Sequence, residues 1–274
     1  MKKKFLLIIF ALIFLAENSF AKSTFDAENF QRSGRKSPGE SRKIAAIENW
    51  NSAEGLHRFN QSSFKEDFYQ LVNFYQAQIN PLYCAVATGT MLLNSLQYEK
   101  ISSQKISEVS TPNGEIIPFG LYTQQSFLNE KTDKIKRREV VEYKERNFDE
   151  KYDPGLALGD FAAILEKVYR LQTDVFYITE NNKRGLERFR QNLRDVLNDH
   201  ESFIVVNFDG KIIGQKTNGH ISPLAAYDEK TDSVLVLDTA LHKNQWYFVS
   251  IEKLFAAMNS KDGNNFRGYV IVSR

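Results

Sequence analysis

The sequence predicts an α+β domain, helices first and a mostly antiparallel sheet later. Two patterns predict it. Apolar residues recur at helical spacing at Phe64, Phe68, Leu71, Val72 and Tyr75, at Val86, Met91, Leu92, Leu93 and Leu96, and at Phe161, Ile164, Leu165, Val168 and Leu171. The final third instead carries five short runs suited to strands, at 203–208, 220–227, 233–238, 246–249 and 269–273. Segregation of this kind, with no internal repeat, is the α+β signature. A single cysteine excludes any disulfide within the chain, so an ordinary core must stabilise it, and 42% hydrophobic content supplies one. The formal net charge of +2, with acids and bases mixed throughout, argues against a nucleic-acid binder.

The chain opens Met1-Lys2-Lys3-Lys4, then runs apolar from Phe5 to Ala16, with small residues at Ser19 and Ala21. Basic start, short apolar core and small residues before a cut are the parts of a secretory signal, and the run of 12 falls short of the roughly 20 needed to span a bilayer. Residues 1–21 are therefore expected to be a signal peptide cut after Ala21, making the protein periplasmic or secreted, with no membrane association once the signal is gone. Residues 22–45, polar and carrying Ser33-Gly34-Arg35-Lys36-Ser37-Pro38-Gly39, read as a flexible leader. The folded domain is then 46–274.

Ser62 precedes the first helical run, whose aromatic stripe is core packing. Thr111-Pro112-Asn113-Gly114 is a turn signal, and Phe119 to Tyr122 starts a short element. Nearly half of 129–153 is charged, which reads as a solvated helix or surface excursion. Gly159-Asp160 opens an amphipathic helix, 175–178 suits a strand, 186–197 another helix and 254–258 a short one.

The stretch from Gln78 to Thr88 organises the rest. Asn80 is a good N-cap, Pro81 suits the first helical position, and Cys84 then lies in or beside the first turn of a buried helix. The free N–H groups and positive dipole end there favour thiolate over thiol. Gln78, six residues earlier, carries an amide able to donate to an oxyanion if the loop folds back. A reactive nucleophile and a buried inert cysteine both fit this stretch.

Asp228-Glu229-Lys230-Thr231-Asp232 is a polar turn between two apolar strands, which predicts a hairpin. With the turn centred near 230, His220 faces a residue near 240, so Asp238 is across the ladder or one diagonal away. A carboxylate there fixes the imidazole tautomer and stabilises its protonated form, as a cysteine nucleophile requires. Gly219 leaves backbone space beside His220. A histidine satisfied at a strand end is the other reading. One Cys and four His show none of the short spacings of structural zinc, so no metal ligands are assigned.

In that order the residues resemble the phytochelatin synthase family, of bacterial single-domain type. The pieces are Asn51-Ser52-Ala53-Glu54-Gly55, Gln78 through Tyr83-Cys84, Gln215-Lys216-Thr217-Asn218-Gly219-His220-Ile221-Ser222-Pro223, Val236-Leu237-Asp238-Thr239-Ala240, Trp246, and Arg267 to Arg274. The resemblance covers Trp50 to Arg274 and implies a papain-like cysteine peptidase fold. It implies that Cys84 attacks the Cys–Gly carbonyl of glutathione, His220 protonates the leaving glycine, Asp238 orients His220, and the Cys84 amide with Gln78 holds the oxyanion. Tyr83, Gly219 and Lys243 are expected to contact substrate. The γ-glutamylcysteinyl thioester passes to a second glutathione, giving phytochelatin, or to water.

Departures favour water. Where the family usually places an arginine three residues after the aspartate stands Leu241, although Lys243 matches a family lysine; Asp209-Gly210-Lys211 occupies the region of another family arginine. No cysteine-rich C-terminal region like that of plant members is present, so metal sensing through it is not expected. No cofactor is expected to bind tightly, and a heavy-metal ion, cadmium or zinc, enters only as the thiolate complex of glutathione. The oligomeric state stays open, a dimer included. Two competing readings are a peptide-cleaving relative resembling the bacteriocin-processing peptidases, which share the Gln-to-Cys spacing, and an exported protein that binds glutathione or a peptide without turnover.

Overall fold

The structure is a computed structural model, and it describes residues 47–142 and 155–274. The expected signal peptide, the leader and the 143–153 part of the charged segment lie outside the described residues. In chain order the elements are β1 (Ile47–Asn49), α1 (Ala53–Gln61), α2 (Glu66–Asn73), α3 (Cys84–Ile101), a hairpin of β2 (Ser107–Ser110) and β3 (Ile116–Phe119), and α4 (Gln124–Phe127). They continue with α5 (Arg138–Glu142), α6 (Leu158–Lys167), β4 (Gln172–Tyr177), α7 (Lys183–Val196), β5 (Ser202–Asp209), β6 (Gly219–Asp228) and β7 (Ser233–Val236). Last come β8 (Tyr247–Ser250), α8 (Ile251–Met258), β9 (Lys261–Asp262), β10 (Asn265–Phe266) and β11 (Gly268–Ser273).

A seven-stranded antiparallel sheet in the order β1-β8-β7-β6-β5-β11-β4 divides the domain into layers. Side chains alternate across it, as strand geometry requires. Phe203 and Val205 of β5 pack with α3 and α6 on one face, while Ile204, Val206 and Phe208 pack with α7 and α8 on the other. Burial on both faces is why β5 reads as a continuous apolar run from Phe203 to Val206. The α+β expectation holds, but the sheet draws strands from both ends of the chain: β1 closes one edge by pairing with β8.

α3 is apolar on every side because it is enclosed on every side. Val86, Met91, Leu92 and Leu93 are fully buried, each contributing about 1.5–3 kcal/mol by leaving water. Its glycine has a packing reason: a Cβ at Gly89 would lie 2.5 Å from the Phe127 ring of α4. β6 sits against α3, and Thr88 Oγ1 donates to the Ile221 carbonyl at 3.3 Å. A proline inside a sheet normally costs a ladder bond. At Pro223 the cost is limited, since its carbonyl still accepts from Leu237 N and the ladder to β7 shifts by one residue between Leu224 and Ala226.

Four expectations need correcting. Asn80 does not cap α3 and Pro81 is not its first residue. Asn80 closes a tight turn instead, its Oδ1 accepting from Leu82 N and its carbonyl from Tyr83 N, so Tyr83 becomes the N-cap. The single helical run after Ser62 is preceded by a separate helix, α1, capped by Ser52. The stretch expected to start a short element at Phe119 closes the β2–β3 hairpin, whose strands were missed. The charged segment is not wholly solvated, because Thr132 and Val141 are fully buried.

Candidate active site

Cys84 is the first residue of α3 and is partly exposed, at the wall of a cleft of about 250 Å³ that His220 and Gly219 also line. As first residue of the helix it has an N–H with no helical partner. His220 enters from the start of β6, where it pairs with Phe208 of β5 and meets that ring edge-on at 5.6 Å. Cys84 and His220 line the same cleft closely enough that each shifts the other's pKa. His220 Nε2 donates to Asp238 Oδ1 at 2.8 Å, leaving Nδ1 for the thiol. Ser222 Oγ lies 3.0 Å from the same Nε2.

Asp238 is buried completely, just past the end of β7, and its carboxylate is held from several directions. Oδ1 also accepts from Ala240 N at 2.8 Å, Oδ2 accepts from Asn244 Nδ2 at 3.3 Å, and its carbonyl accepts from the Tyr75 hydroxyl at 2.6 Å. Tyr75 in turn packs edge-on to Trp246 at 4.8 Å, with Trp50 and Phe68 completing an aromatic platform. The hairpin geometry is as the turn predicted: Leu224 pairs with Val236, which sets Asp238 diagonal to His220.

Burial pushes the Cys84 thiol up, but the hydrogen bond and charge of His220 and backbone N–H bonds from Ile221 and Ala85 outweigh it and hold the pKa below the ordinary thiol value. Burial also opposes a charged His220, yet the Asp238 carboxylate and the Cys84 thiolate raise its pKa from 6.5 to about 10. Both shifts favour thiolate and imidazolium, the activated form of a cysteine nucleophile.

The other predicted residues fall differently. Gln78 lies in the loop before α3, its backbone N donating to Thr239 O. Its Nε2 donates to the carbonyls of Asn80 (3.0 Å) and Pro81 (2.9 Å), so the amide braces its own loop. Gly219 borders the cleft. The Tyr83 side chain turns away, its hydroxyl donating to Glu142 Oε1 at 2.7 Å. Lys243 is exposed in a turn closed by its N–H to Ala240 O, and it does not line the cleft.

Sequence reasoning missed the far end of the cleft. Asn207 and Asp262 line it, and Arg267 joins them, its Nη1 donating to Asn207 Oδ1 at 3.1 Å and its Nη2 to Asp262 Oδ1 at 2.9 Å. Its Nε is buried with no hydrogen-bond partner among the described residues. Gly219 is required here, because a Cβ would sit 2.6 Å from Arg267 Nη1. The β9–β10 turn that aims Asp262 at Arg267 is too short to carry a periodic signal. Among the described residues no group of three or more His, Cys, Asp or Glu could hold a metal ion.

The model of the family described as phytochelatin synthase matches residues 44–269, most of the chain and the whole of this site. The chain belongs to the phytochelatin synthase family. Among curated relatives it is 26% identical over 213 residues to glutathione gamma-glutamylcysteinyltransferase 3 of Lotus japonicus, covering 76% of this chain and 38% of that protein. It is 24% identical over 232 residues to glutathione gamma-glutamylcysteinyltransferase 2 of Arabidopsis thaliana (81% and 44%). With the Schizosaccharomyces pombe transferase of the same name it shares 22% over 219 residues (77% and 44%). The chain spans about two fifths of the length of these relatives. Matching of this family brings Cys84, His220 and Asp238 within one covered segment.

Proposed function

We propose that the protein is a papain-like cysteine enzyme that acts on glutathione, releasing glycine and leaving a γ-glutamylcysteinyl thioester on Cys84. One observation carries the reading: a thiol opening a buried helix shares its cleft with an imidazole that a fully buried carboxylate holds. Family membership supplies the substrate class.

In this mechanism the Cys84 thiolate attacks the carbonyl carbon between cysteine and glycine. The C=O electron pair moves to oxygen, and the resulting oxyanion accepts from the Cys84 N–H, with Gln78 joining once its amide turns away from the Pro81 carbonyl. His220 Nδ1–H protonates the glycine nitrogen as the C–N bond breaks, leaving a neutral imidazole. That nitrogen then takes a proton from water, the hydroxide carbon–oxygen bond forms, and the thiolate leaves with γ-glutamylcysteine released. If the amine of a second glutathione, free or as its cadmium or zinc thiolate, attacks instead, the product is a phytochelatin. Hydrolysis is favoured, because Leu241 and Lys243, both exposed and outside the cleft, give an acceptor's carboxylates no cation there.

The far end of the cleft suits the γ-glutamyl head. Its α-ammonium meets the Asp262 carboxylate, and its α-carboxylate meets Asn207 and the buried Arg267 guanidinium, whose planar fork matches a carboxylate. The amino-terminal signal would deliver the enzyme outside the cytoplasm. The test is glycine release from glutathione by the purified protein, with and without cadmium, alongside intact-protein mass spectrometry after brief exposure. We expect glycine and an acyl adduct on Cys84, with γ-glutamylcysteine exceeding longer peptides. Glycine release no faster than that of Cys84→Ser would overturn the reading.

A further inference from the structure

A second groove, of about 590 Å³, opens on the α7/α8 face of the sheet and shares no lining residue with the Cys84 cleft. It is within the range of small-molecule sites, about 300–1,000 Å³. Among the described residues β4 is the last strand of the sheet and pairs only with β11, which leaves its outer edge without a strand partner. Val175 to Glu180 border the groove without a break. Val175 to Tyr177 are the last residues of β4, and since side chains of one strand face alternately, three in a row at the border set the groove along the end of the strand's edge.

Its rim carries two arginines against one acid, Glu180, whose Oε2 accepts from Asn182 Nδ2. α7 carries four arginines. Arg190 and Arg194 are neutralised, by Asp232 at 2.6 Å and Glu229 at 2.7 Å with Glu187 beside both. Arg184 and Arg188 line the groove instead, and no ion pair to either is found among the described residues. Four residues apart, they stand on one helix face, where like charges repel. Phe176 is half-buried at the floor, with Tyr269 and Phe255 fully buried beneath it. Phe176 and Tyr269 stack at 4.7 Å and 10°, and Phe255 reaches the helix because residue 185 is glycine, where a Cβ would lie 2.9 Å from that ring. Tyr177, 48% exposed, stands at the open side.

From the cationic rim, the aromatic floor and the free strand edge, we infer that this groove binds a small molecule joining a planar heteroaromatic ring to an anionic group, in the class of the nucleoside monophosphates. The ring lies against the half-buried Phe176 with its hydrogen-bonding edge on the β4 backbone, and the phosphate sits between Arg184 and Arg188. The acylation chemistry at Cys84 is not required for it.

Titration calorimetry of the purified protein with AMP, inorganic phosphate and adenosine tests this. AMP is expected to bind at least ten-fold more tightly than either part alone. Binding should weaken at least ten-fold in Arg184→Ala/Arg188→Ala and fall with added salt, while Cys84 alkylation stays unchanged. Both arginines are exposed, so the variant should melt no lower than the parent. As a measurement independent of any variant, AMP should shift the backbone amide resonances of Tyr177 and Gly185. AMP binding no tighter than phosphate, undiminished in the double variant, or shifting cleft residues such as Gly219 instead, would overturn the proposal. So would saturation by an acidic peptide with no response to AMP.

Discussion

Single side chains decide the chemistry, and their titration should show it. Because His220 holds the Cys84 pKa down against burial, alkylation of Cys84 by iodoacetamide should reach half its maximal rate at a pH below the ordinary thiol range. In His220→Ala the burial penalty remains without the imidazolium, so that midpoint should rise above the ordinary range. An unchanged midpoint would mean that the two groups are not coupled. Asp238→Asn removes the charge that keeps His220 protonated and should lower kcat on the order of 10³–10⁴-fold, as loss of the orienting carboxylate does in hydrolytic triads. The alkaline limb of its pH profile should move down from about 10. Gln78→Ala separates two roles. An oxyanion donor lost costs about 10²–10³-fold in kcat with little change in melting, whereas a loop brace lost, with the Asn80 and Pro81 carbonyls unpaired, shows first as a lower melting temperature.

At the scale of elements, α3 is the part on which the site depends, since it carries Cys84 at one end and is locked to β6 one turn later by Thr88. Gly89→Ala should test how tightly α3 is seated. The added methyl would meet the Phe127 ring at 2.5 Å and the Phe161 ring at 3.2 Å. Overpacking of this kind costs about 1–3 kcal/mol, so we expect a fall in denaturant midpoint without a change in slope, read by urea unfolding. Equal midpoints would mean that α4 yields freely. The hairpin of β6 and β7 was legible because its turn is polar and its strands are apolar, and with it the His220–Asp238 diagonal. The boundaries were less so: the β6–β7 strand pair ends at Val236, two residues before the expected limit, because the chain there leaves the ladder to aim the Asp238 carboxylate.

For the whole molecule, one group outside the site governs stability against pH. Asp67 of α2 is fully buried, and neither carboxyl oxygen has a hydrogen-bond partner among the described residues. Burial first, then the charges of Asp199 and Glu66, raise its pKa from 3.8 to about 9. Between those values the folded state holds a proton that the unfolded chain releases, so this group's contribution to stability falls as pH rises through that window. Asp67→Asn keeps the neutral form at every pH. Its melting temperature should exceed that of the parent by a few degrees at pH 8 and converge on it near pH 4, as followed by circular dichroism. A constant gap across that range would show that Asp67 does not titrate there.

The sequence by itself determined the α+β class and the family, and it singled out Cys84, His220 and Asp238, which the fold brings together. Those rest on local rules: a helix start, a hairpin register and the order of short motifs. Only the tertiary structure decided which neighbours each side chain meets. It turned Tyr83 toward Glu142, left Lys243 in solvent, and gathered Asn207, Asp262 and Arg267 at one end of the cleft from three separate strands or turns. The physical reason is that periodicity and capping act over a few residues. Pairings between positions as distant as 207 and 267 are set by strand order in the sheet, which packing on both faces fixes and no local pattern encodes.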